Sequence, residues 1–268
     1  MQKTLTNFYL VVDLDLTFLH SKFDADMYKS LKLYSDPKNI NLRNRVYLFD
    51  LVNGDIDEGS EGSLRVWGVY RTYLFEFLHF AQHYFKGIYV WSAGKYKYVH
   101  SIVELISSES GIKPLNVLTR DDCGYTKVDK HGKKYMHKPL EYIFKINPDA
   151  NLSNTLALDD IMDNFMNNPK NGLLIPPYQP ENDEDCPLNE FKDWIMQEDL
   201  NLMKLKYWLL SEKVIKCKDV RKLKKNTIFI DPLNKHLKNL SIDDLKENIS
   251  EDFLNHIYNE IEEFENLE

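Results

Sequence analysis

Short apolar runs alternate along this chain with stretches of helical periodicity, and several of the runs stop on small or acidic residues. Residues 8–12 (FYLVV) are an unbroken series of aromatic and aliphatic side chains, the pattern of a strand buried on both faces of a parallel sheet. Residues 45–51 and 64–70 read as two further β-segments. Between them lie Asn53-Gly54-Asp55 and a Gly/Ser/Glu-rich stretch to Ser63, which predicts a small β-hairpin flap over about 40–70. Tyr73, Leu74, Phe77, Leu78, Ala81 and Phe85 recur at helical spacing before Gly87. The run 88–91 (IYVW) predicts a second parallel strand, ending on Ser92-Ala93-Gly94. A helix over 95–106 follows, with Val99, Ile102, Val103 and Ile106 on one face.

Residues 116–119 form a third short strand, followed by Arg120-Asp121-Asp122-Cys123. A basic, turn-rich stretch at 127–134 leads to His137-Lys138-Pro139, with Pro139 suited to the first turn of a helix ending near Ile146. Residues 154–158 (NTLAL) predict a fourth strand, ending on Asp159-Asp160, and 172–175 a fifth, stopped by Pro176-Pro177. Repeating βα units of this kind predict an α/β fold, a Rossmann-like central parallel sheet flanked by helices. The expected organisation is one such domain over 1–210, including a helix over 191–210, then a helical C-terminal extension over 211–268. Within the extension, the Lys/Arg-dense stretch 213–225 precedes the acidic segments SIDDLKE and SEDFLNHIYNEIEEF. Their opposite charges predict that the two meet; the basic stretch also reads as a solvated helix face, a docking surface for an acidic partner or a nuclear-import signal.

At 268 residues and 43% hydrophobic content, the chain can bury one substantial core. A formal charge of -8 argues against general binding to nucleic acid or an anionic membrane. Cys123, Cys186 and Cys217 are odd in number and lack a CxxC, so neither a disulfide framework nor a zinc site is expected. Together with the lack of a leader or an apolar run of about 18 residues, this predicts an intracellular protein of the nucleus or cytoplasm. The histidines show no metal-ligand spacing. Cys123 has no basic activator to spare, and Trp91, Tyr96 and Tyr98 read as packing residues.

The chemistry gathers at strand ends. Asp13 and Asp15 directly follow the first strand, at the carboxyl end where open α/β sheets bind ligands. Residues two apart on an extended chain face the same way, so both acids enter one crevice, and paired carboxylates there call for a divalent cation. Ser92, Lys138 and Asp159-Asp160 end or follow later elements of the same sheet. One carboxylate to attack phosphorus, a second to move protons, a hydroxyl and a lysine to meet the phosphoryl charge make a phosphoryl-transfer set. Taken singly, Ser92 reads as a helix cap and Lys138 as a surface lysine; in this order they point to one site.

The stretch from Asp13 to Ser21, DLDLTFLHS, resembles the DLDETLVHS signature of a haloacid-dehalogenase (HAD) superfamily branch. That FCP/SCP-like branch contains the RNA polymerase II C-terminal-domain (CTD) phosphatases and the NLI-interacting-factor-like phosphatases. Arg71 before a helix, WSAG, RDDC, Lys138 and LDD follow in similar order, so the resemblance covers roughly residues 5 to 180. It implies a HAD-like fold with Asp13 as nucleophile, Asp15 as acid/base and Lys138 as the stabilising cation. Thr17, Ser92, Ala93 and Arg120 would support or surround the substrate phosphate. It further implies Mg²⁺ held by the Asp13 carboxylate, the Asp15 main-chain carbonyl and one of Asp159 and Asp160; of these two Asp160 is favoured as the direct ligand, with Asp159 acting through water, and the choice between them stays open. Leu16 stands where the branch usually has Glu, and Thr72 where it prefers Pro.

The short interval from Ser92 to Lys138 leaves no room for a cap domain, and an open site suits a phosphorylated protein segment. The expected substrate is phosphoserine or phosphothreonine in protein, the polymerase tail being the family-level choice. A small-molecule or nucleic-acid-end phosphatase, or a catalytically idle phosphoprotein-binding scaffold, would fit the same residues. Oligomeric state is left open.

Overall fold

The computed structural model describes residues 4–52, 63–125, 136–183, 185–238, 240, 254–255 and 257–259. The expected turn at 53–55, the basic stretch 127–134 and most of the acidic segments after 240 lie outside the described residues, and with them the expected contact between the acidic segments and 213–225.

Strand β1 (Tyr9–Val12) is buried at all four positions, as its unbroken apolar run requires. The chain continues through β2 (Leu19–Lys22), β3 (Val46–Val52), β4 (Ser63–Tyr70) and helix α1 (Leu74–Tyr84) to β5 (Gly87–Trp91). Helix α2 (Tyr96–Ser110) leads to β6 (Asn116–Leu118), then to the two-residue strands β7 (Gly124–Tyr125) and β8 (Met136–His137), which pair antiparallel. Helix α3 (Glu141–Ile146), β9 (Thr155–Asp159) and β10 (Gly172–Leu174) complete the α/β part.

The main sheet is parallel, in the order β10-β9-β1-β5-β6. Strand β1 lies at its centre. The chain leaves β1 toward β5 and β6 and later returns to β9 and β10 on the other side, so the direction of winding reverses at β1. A crevice opens at the carboxyl ends of the strands at such a reversal. Alternation along β1 divides the core: Leu10 and Val12 pack with Phe77, Leu78 and Ala81 of α1 and Val99 and Ile102 of α2. Tyr9 and Val11 face Leu140 and Ile143 on the opposite side.

Two elements differ from the sequence reading. The flap is a three-stranded antiparallel sheet, β2-β4-β3, because Leu19–Lys22 pairs with β4 directly after the acidic motif. Four residues without a long apolar run carry too little periodicity to read as a strand. The apolar stretch 191–210 is two helices, α4 (Leu188–Met196) and α5 (Asn201–Leu209), rather than one. Asp199 lies in the break and accepts the Asn201 N–H at 2.9 Å. A carboxylate there satisfies one orphan donor of the second helix, and apolar periodicity does not register the interruption.

The chain past Leu209 packs on the same core. Val214, Val220, Ile228, Leu254 and Ile257 belong to the cluster that contains Leu10 and Val12. In the basic stretch, Lys216 pairs with Glu212 and Arg221 with Asp219. Among the described residues, no helix is long and apolar enough to cross a membrane.

Candidate active site

Three strand ends meet over the reversal point. The Asp13 N–H continues the β1–β9 ladder by donating to Leu158 O at 3.0 Å. The carboxyl ends of β1 and β9 therefore lie side by side and carry Asp13, Asp159 and Asp160 into one place. One carboxylate oxygen from each of these three lies within 4.8 Å of the others. Lys138, on the segment after β8, reaches between them: its Nζ donates to Asp13 Oδ1 at 2.5 Å and to Asp159 Oδ2 at 2.7 Å. Lys138, Asp13 and Asp159 are all buried.

The loop after β1 is tightly fastened. Leu16 takes a left-handed backbone with φ 58°, which turns the chain back into β2. Its N–H donates to Leu19 O and its carbonyl accepts from the Tyr178 N–H, each at 2.7 Å. Thr17 Oγ1 lies 3.5 Å from both Asp13 Oδ2 and Asp160 Oδ1. The Arg71 guanidinium, almost completely buried, donates to Thr17 O at 2.9 Å and Pro176 O at 2.8 Å. Arg71 thus supports the loop from behind and does not face the crevice acids. Thr72 does not start the helix as a proline would; its hydroxyl accepts the Asp199 N–H at 3.3 Å.

Asp15 stands on the other side of the crevice. Its Oδ2 lies 3.5 Å from Ser92 Oγ, and Ser92 Oγ accepts the Gly94 N–H at 3.0 Å. Arg120 is exposed at the rim, where its Nε donates to Ala93 O at 2.8 Å, bracing the loop after β5. A cleft of about 540 Å³ runs over Asp15, with Phe23, Leu51 and Leu64 on its apolar wall and Lys95 and Arg120 on its basic one.

Electrostatics follow from crowding. Burial raises the Asp13 carboxyl well above the ordinary aspartate range, Asp159 and Asp15 add to this, and Lys138 opposes it. Burial also raises Asp15 and pushes Asp160 up to about 6, with Asp159 adding to the latter. Burial disfavours the Lys138 ammonium, but the charges of Asp13 and Asp159 outweigh it and hold the proton on. Four carboxylates against one ammonium leave an excess of negative charge, an arrangement that suits a hard divalent cation.

The two oxygens facing each other across Thr17 are the ones Lys138 does not engage. Asp159 is committed elsewhere: Asn164 Nδ2 donates to both of its oxygens at 2.8 Å, and the Ile161 N–H to Oδ1 at 2.9 Å. The positions named from sequence, Asp13, Asp15, Thr17, Ser92, Ala93, Lys138, Asp159 and Asp160, thus come together, with Arg120 at their edge.

Residues 8–221 match the family described as NLI interacting factor-like phosphatase. The chain belongs to that family. It is similar to ubiquitin-like domain-containing CTD phosphatase 1 of Drosophila melanogaster, with 33% identity over 111 residues, covering 41% of this chain and 34% of that protein. To the Xenopus tropicalis protein of the same name it is 28% identical over 156 residues, covering 52% of this chain and 46% of the relative. The chain therefore spans less than half the length of either relative.

Among solved structures, Fcp1, described as an essential RNA polymerase II CTD phosphatase, matches with TM-score 0.51 at 20% identity. The match covers 82% of this chain and 59% of the other. A fission yeast Fcp1 variant bound to beryllium fluoride matches with TM-score 0.52 at 19% identity, covering 87% and 64%. At these identities the likeness is one of fold, and it agrees with the HAD-like α/β architecture expected from the sequence.

Three features of the site were not read from the sequence: Asn164 on Asp159, Asp199 behind Arg71, and the hydroxyl of Tyr98, which donates to Asp15. Tyr98 falls at helical spacing in α2, so its sequence signal is the same as that of a packing residue.

Proposed function

We propose that this chain is a Mg²⁺-dependent protein phosphatase that removes phosphate from phosphoserine or phosphothreonine through an aspartyl-phosphate at Asp13. The observation that carries the reading is the contrast between the two acids of the DxD motif. Asp13 is drawn against Lys138 and the other carboxylates, while Asp15 lies apart from them beside Ser92. One acid is placed to attack and the other to exchange protons with the leaving oxygen.

In the first step a bond forms between an Asp13 oxygen and phosphorus as the ester P–O bond breaks. A proton passes from Asp15 to the leaving oxygen. In the second, water attacks phosphorus, the Asp13–phosphate bond breaks, and Asp15 takes the water's proton. Lys138 balances charge on Asp13, and Ser92 with the N–H groups near Gly94 receives phosphoryl oxygens.

The donor set fits Mg²⁺: Asp13 Oδ2 and Asp160 Oδ1 meet only the Thr17 hydroxyl, at 3.5 Å, and not Lys138, and the Asp15 main-chain carbonyl would complete the protein ligands. The heavy commitment of Asp159 to Lys138 and Asn164 favours Asp160 as the direct ligand. When bound, Mg²⁺ supplies neutralisation of the phosphoryl charge.

The open cleft, with an apolar and a basic wall, supports an extended phosphorylated segment as substrate, and the relatives' names make the RNA polymerase II tail the first to test. Action in the nucleus or cytoplasm goes with this reading. The test compares Mg²⁺-dependent hydrolysis of a tail-derived phosphopeptide with that of sugar phosphates and nucleic-acid 5′-phosphates. Faster turnover of the phosphopeptide, lost in Asp13→Asn, is expected. Equal turnover would reject the protein substrate, and an inert wild type that still binds phosphopeptide would reject the enzyme.

A further inference from the structure

Two hydroxyl groups from different elements meet on one oxygen of Asp15, and a third stands behind them. Asp15 Oδ1 accepts from Tyr98 Oη, in the first turn of α2, and from Ser21 Oγ of β2 at 3.3 Å. Ser21 Oγ also lies 2.6 Å from Tyr47 Oη of β3 and 2.5 Å from Tyr98 Oη. A serine hydroxyl has a single proton to give. With that proton donated to Asp15, Tyr47 donates to Ser21, and the hydrogen bonds run from Tyr47 through Ser21 to Asp15. The approach is a close one. A Cβ at Gly68 would collide with the Tyr47 hydroxyl, so the β4 backbone leaves room for that hydroxyl only because glycine stands there.

Both donors fall on Oδ1, and Oδ2 is left facing Ser92. A carboxyl group anchored through one oxygen by two O–H donors has little freedom to rotate about its terminal torsion, which is otherwise broad. We infer that Tyr98, with Ser21 and Tyr47 behind it, is a positioning residue that turns Asp15 so that Oδ2 meets the leaving oxygen. The inference rests on the reading of Asp15 as acid/base. In the first half-reaction the proton on Oδ2 passes to the ester oxygen as the P–O bond breaks and the alcohol departs. The charge left on Asp15 then falls on a group that already accepts two donated protons, so the donors stabilise the carboxylate as it forms.

The contribution should depend on how much the leaving group needs the proton. Serine departs as a poor, alkoxide-like leaving group, whereas 4-nitrophenolate departs readily without protonation. The experiment measures kcat/KM of the full chain with Mg²⁺ on a phosphoserine peptide and on 4-nitrophenyl phosphate, in wild type, Tyr98→Phe, Ser21→Ala and Asp15→Asn.

General acid catalysis contributes ~10²–10⁴-fold, so misorienting the acid should lower the ratio of peptide to aryl turnover by roughly tenfold or more in Tyr98→Phe, and by more in Asp15→Asn. Ser21→Ala should move the ratio the same way, so the outcome does not hang on one variant folding. A tyrosine that only packs would lower both rates alike. An unchanged ratio in both hydroxyl variants, with a fallen ratio in Asp15→Asn, overturns the inference and leaves the acid/base reading standing. An unchanged ratio in Asp15→Asn overturns both.

Discussion

Arg71 and Asp199, 128 positions apart, form a two-point ion pair whose arginine is buried and whose aspartate is partly exposed: Nε lies 3.2 Å from Oδ1 and Nη2 2.9 Å from Oδ2. The Arg71 side chain has no exposed surface, and its remaining donors hold the carbonyls of Thr17 and Pro176. One guanidinium therefore joins the loop after β1, the segment after β10 and the break between α4 and α5. Asp199 keeps the Asn201 donors, so the main loss on removing Arg71 is the buried side chain's packing and its bonds to the two carbonyls, a network loss of ~2–4 kcal/mol. Arg71→Ala should lower unfolding free energy by about that much in urea titration, and Arg71→Lys should recover only part, lacking the planar fork. A loss under about 1 kcal/mol in Arg71→Ala would show that the pair holds nothing in place.

Lys138 stands between Asp13 and Asp159 at 2.5 and 2.7 Å. Lys138→Met keeps the apolar stem and removes the charge. Turnover of phosphopeptide should fall by ~10²-fold or more, the scale on which loss of one preorganised charge donor is felt. Steady-state kinetics at saturating Mg²⁺ checks this, since added metal should not rescue a role that belongs to the ammonium.

The crowded carboxyls make metal-free stability depend on pH. Asp160 is raised to about 6 in the fold, and Asp13 and Asp15 are raised in the same direction. A folded pKa above the unfolded one means that the folded state binds more protons between the two values. The stabilisation is complete below about 4 and is lost as pH rises through about 6. Bound Mg²⁺ prefers the ionised carboxylates and opposes this loss; at one hundred times Kd a ligand contributes about 2.7 kcal/mol. The difference in Tm between Mg²⁺ and EDTA should therefore widen from pH 5 to pH 8. A difference that shrinks over that range would contradict the assigned metal ligands.

Val214, Val220 and Ile228 are buried in the core that β1 enters. Full burial of such side chains stabilises by ~1.5–3 kcal/mol each. A chain truncated after residue 210 should consequently be destabilised by several kcal/mol, measured by chemical denaturation. Unchanged stability would mark 211–268 as an independent extension.

Periodicity alone determined the principal strands and helices, the parallel α/β class and the placement of acids at strand ends, because those features depend on residues within a turn or two of one another. Asp13, Asp15 and Asp159-Asp160 were readable as a set for the same reason: each directly follows an apolar run. Tertiary structure decided what no local window contains. Tyr98 meets Asp15 across 83 positions and Arg71 meets Asp199 across 128, and in each case a polar group withdrawn at least partly from water must find a partner wherever the fold supplies one. The break between α4 and α5 belongs with these, since Asp199 interrupts an apolar repeat that continues on both sides of it. Short-range pattern specified which apolar side chains would be buried; only the closed core settled which charged groups join them and which hydroxyl turns toward which carboxylate.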